Sequence, residues 1–122
     1  MKVAVYFNLH KNIFSVQSRE KESYGRVIDH VESVVLEAPT FVVRQAGRKK
    51  VIEDKKKNVH AFVVGNIAEG VETSSLEEIV TYNPYKYTSF VKQDTKEEVS
   101  KAEYSVIRFG VDGKPLISAY GA

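Results

Sequence analysis

Cysteine is absent from the 122 residues of this chain, which excludes disulfide staples, thiolate nucleophiles and zinc–cysteine sites. No apolar stretch approaches membrane-spanning length. The opening Met1-Lys2-Val3-Ala4-Val5-Tyr6-Phe7 is too short and too alternating for a signal peptide, so the expectation is an intracellular protein. No glycine-rich phosphate loop of the Walker or dinucleotide type occurs, nor any internal repeat, low-complexity tract or linker. Charge of one sign is lacking as well. The 18 lysines and arginines against 16 acids leave a net charge of +2, too small to announce a nucleic-acid partner by itself. The three histidines, His10, His30 and His60, carry no metal-ligand spacing, and each serves equally well as a polar residue on a strand. Acidic residues are scattered, with no close pair on an apolar strand where a carboxyl pKa would shift. This inventory points away from an enzyme.

Strand signals dominate what is present. Val3, Val5, Phe7 and Leu9 alternate with Lys2, Ala4, Tyr6 and Asn8, the period of a half-buried strand. Lys11 and Asn12 make a turn, and residues 13–16 return as a hairpin. Residues 18–23 read as a solvated loop. A β-branched run from Val27 to Leu36 forms one long bent strand or two short ones, broken by Ala38-Pro39-Thr40, after which residues 41–43 pair briefly. Residues 44–57 are the helix candidate, with Val43, Ala46, Lys50 and Val51 near one face and Gly47 weakening the segment. Residues 59–64 form a short apolar run that reads as a buried central strand. Residues 76–82 are another strand, returning through 88–92. Residues 93–102 are a charged loop or a short helix. Tyr104–Phe109 and Leu116–Tyr120 flank Asp112-Gly113, a hairpin-turn signal. The chain is expected to be a single domain over residues 1–122, of α+β class, mainly antiparallel sheet with one central helix and a C-terminal hairpin.

Two features carry binding chemistry. The stretch Thr81-Tyr82-Asn83-Pro84-Tyr85-Lys86-Tyr87 packs three tyrosines, a rigid turn residue and a cation into seven positions. Pro84 stiffens the loop and biases Asn83 towards extended backbone, so a flat ring with a phosphate suits it. Equally, the tyrosines could cap a sheet and Lys86 be solvated. The second feature is the run Arg48, Lys49, Lys50, Lys55, Lys56 and Lys57, offset by Glu53 and Asp54. It is either a solvated helix surface or an anion-binding edge ending in Lys57-Asn58-Val59-His60 at the mouth of the central strand.

Four segments give the chain a family resemblance: FNLHKNIFSV at residues 7–16, AGRKKV at 46–51, KKNVHAFVVG at 56–65 and YNPYKY at 82–87. In kind and order they resemble a family of small phage proteins, the anti-Thoeris signal sponges. The resemblance implies a counter-defence protein of the infected bacterial cytoplasm. Such a protein binds and sequesters a cyclic ADP-ribose isomer made by TIR-domain enzymes, without cleaving it and without a cofactor. It also implies a homo-oligomer with the messenger held between protomers, and in some members cyclic oligonucleotides at a separate site. The ligand-binding set expected from the residue reading and the resemblance is Asn8, His10, Lys11, Arg48, Lys57, Asn58, His60, Tyr82, Asn83, Tyr85 and Lys86, with no catalytic or metal residue. Little of the resemblance extends past Phe90.

Two other classes remain compatible with these residues. One is a small nucleic-acid-binding β-module using the basic run and the tyrosines. The other is a protein-interaction inhibitor with tyrosine anchors. A polynucleotide binder would lose affinity steeply with salt, whereas a pocket ligand with two phosphates would lose much less.

Overall fold

The computed structural model describes residues 1–55, 59–71, 78–84, 88–92 and 95–121. Its elements are β1 (Lys2–Asn8), β2 (Ile13–Ser18), β3 (Val27–Val31), β4 (Val34–Val43), α1 (Gln45–Glu53), β5 (Ala61–Ile67), β6 (Glu78–Tyr82), β7 (Tyr104–Phe109) and β8 (Pro115–Tyr120). The eight strands form one sheet in the order β3-β2-β1-β5-β4-β7-β8-β6, and every pairing is antiparallel. The expected class is what the chain adopts: among the described residues, antiparallel sheet, a single helix, and the β7–β8 hairpin at the C-terminal end. The β1–β2 turn is made by Asn8, whose Oδ1 accepts the backbone N–H groups of His10 and Lys11 at 3.1 and 3.0 Å. Asn12 takes the left-handed conformation that asparagine tolerates.

Alternation fixes two faces. Val3, Val5 and Phe7 of β1, Phe14 and Val16 of β2, Val63 of β5 and Leu36 of β4 point to one face and are buried. That face is folded in on itself. Phe7 and Phe14 meet Phe109 of β7 at centroid distances of 6.0 and 5.0 Å, although β5 and β4 lie between β1 and β7 in the sheet. Further along, Phe90 lies between Phe41 of β4 and Tyr82 of β6, at 4.7 and 4.2 Å, with β7 and β8 intervening in the order. A twisted sheet that curls this far can bury one face entirely against itself. Each fully buried ring of this set contributes about 1.5–3 kcal/mol.

Several local expectations change. The run from Val27 is two strands, one of the two forms expected for it, with the second continuing to Val43. Ala38-Pro39-Thr40 does not end β4 but forms a bulge within it, the register jumping between Glu37 and Thr40. The partner strand makes room with Gly65, where a Cβ would lie 3.0 Å from the Glu37 carbonyl oxygen and 3.2 Å from the Pro39 Cα. The helix stops at Glu53, short of residue 57: Asp54 caps it and Lys55 turns left-handed. The expected return strand over 88–92 is a single bridge, Val91 to Glu98, because Phe90 is drawn into the core instead of alternating along a ladder.

Candidate functional site

The outward face of the sheet holds a hollow over Ala4. This residue pairs with Gln17 on β2 and with Val64 on β5, and its short side chain, itself buried, forms the floor. A cavity of about 340 Å³ results, lined by Ala4, Tyr6, Gln17, Arg19, Arg44 and Phe62. The two arginines arrive from different directions. Arg19 follows β2 and is tied down by its backbone N–H to the Lys2 carbonyl at 2.9 Å. Arg44 sits between β4 and α1, its N–H bonded to the His60 carbonyl at 2.6 Å.

Both guanidinium groups converge on Phe62, at 5.5 Å for Arg19 and 6.0 Å for Arg44, within cation–π range. Arg19 also lies 4.8 Å from the Tyr24 ring centroid and donates a hydrogen bond from Nη1 to the Tyr24 hydroxyl. Its Nε is buried and has no hydrogen-bond partner. Native interiors rarely leave such a donor unmatched, and its desolvation costs about 1–3 kcal/mol. Among the described residues that line the cavity there is no carboxylate. Paired guanidiniums suit an oxyanion, the rings and guanidinium planes suit a flat heterocycle, and the Gln17 amide can donate and accept. Among the described residues no histidine–carboxylate group is placed to hold a metal ion.

Those residues singled out in the sequence that the structure describes fall elsewhere. Asn8 is consumed by its own turn and by a 3.1 Å bond from Nδ2 to Ser15 Oγ, with His10 and Lys11 exposed at the tip. Tyr82, expected to stack on a base, is a core residue only 2% exposed. It packs on Phe90, and its hydroxyl hydrogen-bonds to Nε2 of the buried His60 at 3.1 Å. Burial pushes the Tyr82 phenol well above the ordinary tyrosine range. Its neighbour Asn83 is buried too. Arg48 borders a second cavity, with its Nε buried and unpartnered. Thus Phe90 links the Arg48 cavity to Tyr82 and, through it, to His60, while Asn8, His10 and Lys11 stand apart. Lys57, Asn58, Tyr85 and Lys86 lie outside the described residues.

Sequence reasoning passed over Tyr6, Gln17, Arg19, Arg44 and Phe62. The available signal was the other half of the strand alternation. Tyr6 and Phe62 occupy positions that should face water, each within reach of an arginine near a strand end.

The sequence profile of a phage protein family, described as Mycobacterium phage L5 gene 82 protein, matches residues 1–110. The chain belongs to this family. It is 37% identical over 102 residues to the Gene 82 protein of Mycobacterium phage L5, covering 79% of this chain and 81% of that protein. The family match extends beyond Phe90 and takes in β7, so it spans both arginines of the outer cavity and most of the curled sheet. No solved structure matches the chain. No helix among the described residues is long and apolar enough to cross a membrane.

Proposed function

We propose that this phage-family protein binds and sequesters, without cleaving it, a small nucleotide of the cyclic ADP-ribose type made by TIR-domain enzymes. It thereby acts as a counter-defence sponge in the infected host cytoplasm. The observation that carries the reading is the outer cavity, where Arg19 and Arg44 meet on Phe62 and the buried Arg19 Nε has no protein acceptor. A phosphate oxygen supplies that acceptor and an adenine ring supplies the stacking partner. The sponge motifs in the sequence support the choice of messenger.

The magnitudes are adequate. A base stacked on an aromatic contributes about 1–3 kcal/mol, and each charge-assisted bond to phosphate about 1.5–3 kcal/mol. A few such contacts on fixed strands approach nanomolar affinity, about −12 kcal/mol. The cavity of about 340 Å³ is at the small end for a ligand with two riboses and two phosphates. A second protomer closing over the open side would complete the enclosure, and the working unit is accordingly a homo-oligomer.

Calorimetry with a cyclic ADP-ribose isomer tests the reading, using the wild type and an Ala4→Leu variant that fills the hollow from its floor. The wild type should bind one ligand per protomer. The plugged variant, in which leucine replaces the buried Ala4 side chain, should stay folded with a loss of about 1–3 kcal/mol from overpacking, and bind at least about a hundredfold more weakly, about 2.7 kcal/mol. Equal binding by both folded proteins would place the ligand elsewhere. Steep loss of affinity with added salt, together with binding of single-stranded oligonucleotides, would favour a nucleic-acid module.

A further inference from the structure

A second cavity, of about 370 Å³, borders the β4–α1 junction and lies on the opposite side of β4 from the first. Phe41 and Val43 point to the inner face and line it, whereas Arg44 lines the outer cavity. Arg44 and Arg48 are one helical turn apart, the Arg48 N–H donating to the Arg44 carbonyl at 2.8 Å, yet their guanidinium groups serve different cavities. The Arg48 Nε is buried without a hydrogen-bond partner, so this cavity too holds a buried N–H donor left unmatched.

The rest of the lining narrows the ligand. Phe41 and Phe90 are buried and give an apolar wall. Ser89, Ser100 and Glu98 supply two hydroxyls and a carboxylate. A bare anion would meet the Glu98 carboxylate unfavourably, and a plain heterocycle would leave Glu98 and the serines little to bond. A ligand with one anionic group for Arg48, several hydroxyls for Glu98 and the serines, and a C–H face for the phenylalanines satisfies all of them. The walls are held in place before any ligand arrives. The Phe41 N–H bonds to the Ser100 carbonyl at 3.0 Å and the Val99 N–H to the Phe90 carbonyl at 2.9 Å, with the Val91–Glu98 bridge alongside.

We propose that the Arg48 cavity is a binding site for a sugar phosphate, separate from the Arg19–Arg44 cavity. Arg48 takes the phosphate, Glu98 accepts hydrogen bonds from the sugar hydroxyls, and Phe41 and Phe90 cover the ring carbons.

Titration calorimetry with ribose 5-phosphate, and separately with ribose and with inorganic phosphate, tests this on the full chain. Ribose 5-phosphate should bind at least about tenfold more tightly than either fragment. Arg48→Gln should weaken it at least about tenfold, and Glu98→Gln should reduce the preference over inorganic phosphate. The ligand-free Arg48→Gln protein should melt no lower than the wild type, since the buried Nε has no hydrogen bond to lose. Ribose 5-phosphate binding no better than phosphate, or undiminished by Arg48→Gln, would overturn the assignment. So would a lower melting temperature for ligand-free Arg48→Gln, which would make Arg48 a structural residue.

Discussion

Replacing Arg19 by glutamine should separate binding from folding. In the folded protein the Arg19 guanidinium rests on Tyr24 and Phe62 and donates to the Tyr24 hydroxyl. Each cation–π contact at a partly exposed site contributes about 0.5–1 kcal/mol. Against this, the buried Nε has no acceptor, a penalty of about 1–3 kcal/mol that glutamine does not carry. The two effects nearly cancel, so the variant should stay within about 1 kcal/mol of the wild type, about 4–8 °C or less in melting temperature. Binding is different. Loss of one charge-assisted bond to phosphate removes about 1.5–3 kcal/mol, or about ten- to 150-fold in affinity. Arg19→Lys keeps the charge but not the planar fork and should recover only a small part. If Arg44 grips the same anion, the double variant should show a coupling energy of about 0.5–3 kcal/mol in a mutant cycle. Calorimetry and thermal melts on the four proteins decide it. An Arg19→Gln protein that folds and binds normally, or two arginine effects that add without coupling, would refute the shared-anion geometry.

Three stability predictions test the fold that positions the cavities. Phe90→Ala removes the ring between Phe41 and Tyr82 and should cost about 3–5 kcal/mol in urea unfolding; a loss near zero would mean that the ring does not fill the core. Gly65→Ala places a Cβ against the backbone of the β4 bulge and should lower stability by about 1–3 kcal/mol, whereas an unchanged urea midpoint would show that the bulge can yield. The Tyr82 phenol is held above its ordinary range by burial, so the unfolded chain gives up that proton first. Its contribution is therefore fully present below about pH 10 and fades as pH rises beyond it. Tyr120 shifts in the same direction, through burial first and then the Glu78 carboxylate, opposed by Arg108. Tyr82→Phe should accordingly show a shallower alkaline loss of stability in melts across that range, and an identical slope would contradict the burial argument.

The sheet was legible because its signals are local. The Val3–Val5–Phe7 alternation, the Lys11-Asn12 turn and the Asp112-Gly113 hairpin each specify their own geometry within a few residues. Pro39 misled because a proline that ends an isolated strand can sit in a bulge when a glycine opposite, here Gly65, leaves it space. Tyr82 misled for a related reason. A tyrosine beside a proline turn reads as surface, but the curl of the sheet brings Phe90 onto its ring and His60 to its hydroxyl, and nothing in the neighbouring residues records that curl. The outer cavity was hidden by sequence distance. Ala4, Gln17, Arg19, Arg44 and Phe62 come from four separate segments that only the order β2-β1-β5-β4 brings side by side.

The central claim is that the protein holds a messenger and does no chemistry on it. Protein mixed with excess cyclic ADP-ribose isomer, freed of unbound ligand, heat-denatured and analysed by mass spectrometry should release the input molecule unchanged, in stoichiometric proportion to protomers. An Ala4→Leu protein treated in parallel should release almost none. Progressive conversion of the isomer to a product over many turnovers, or an equal yield from the plugged variant, would contradict the account.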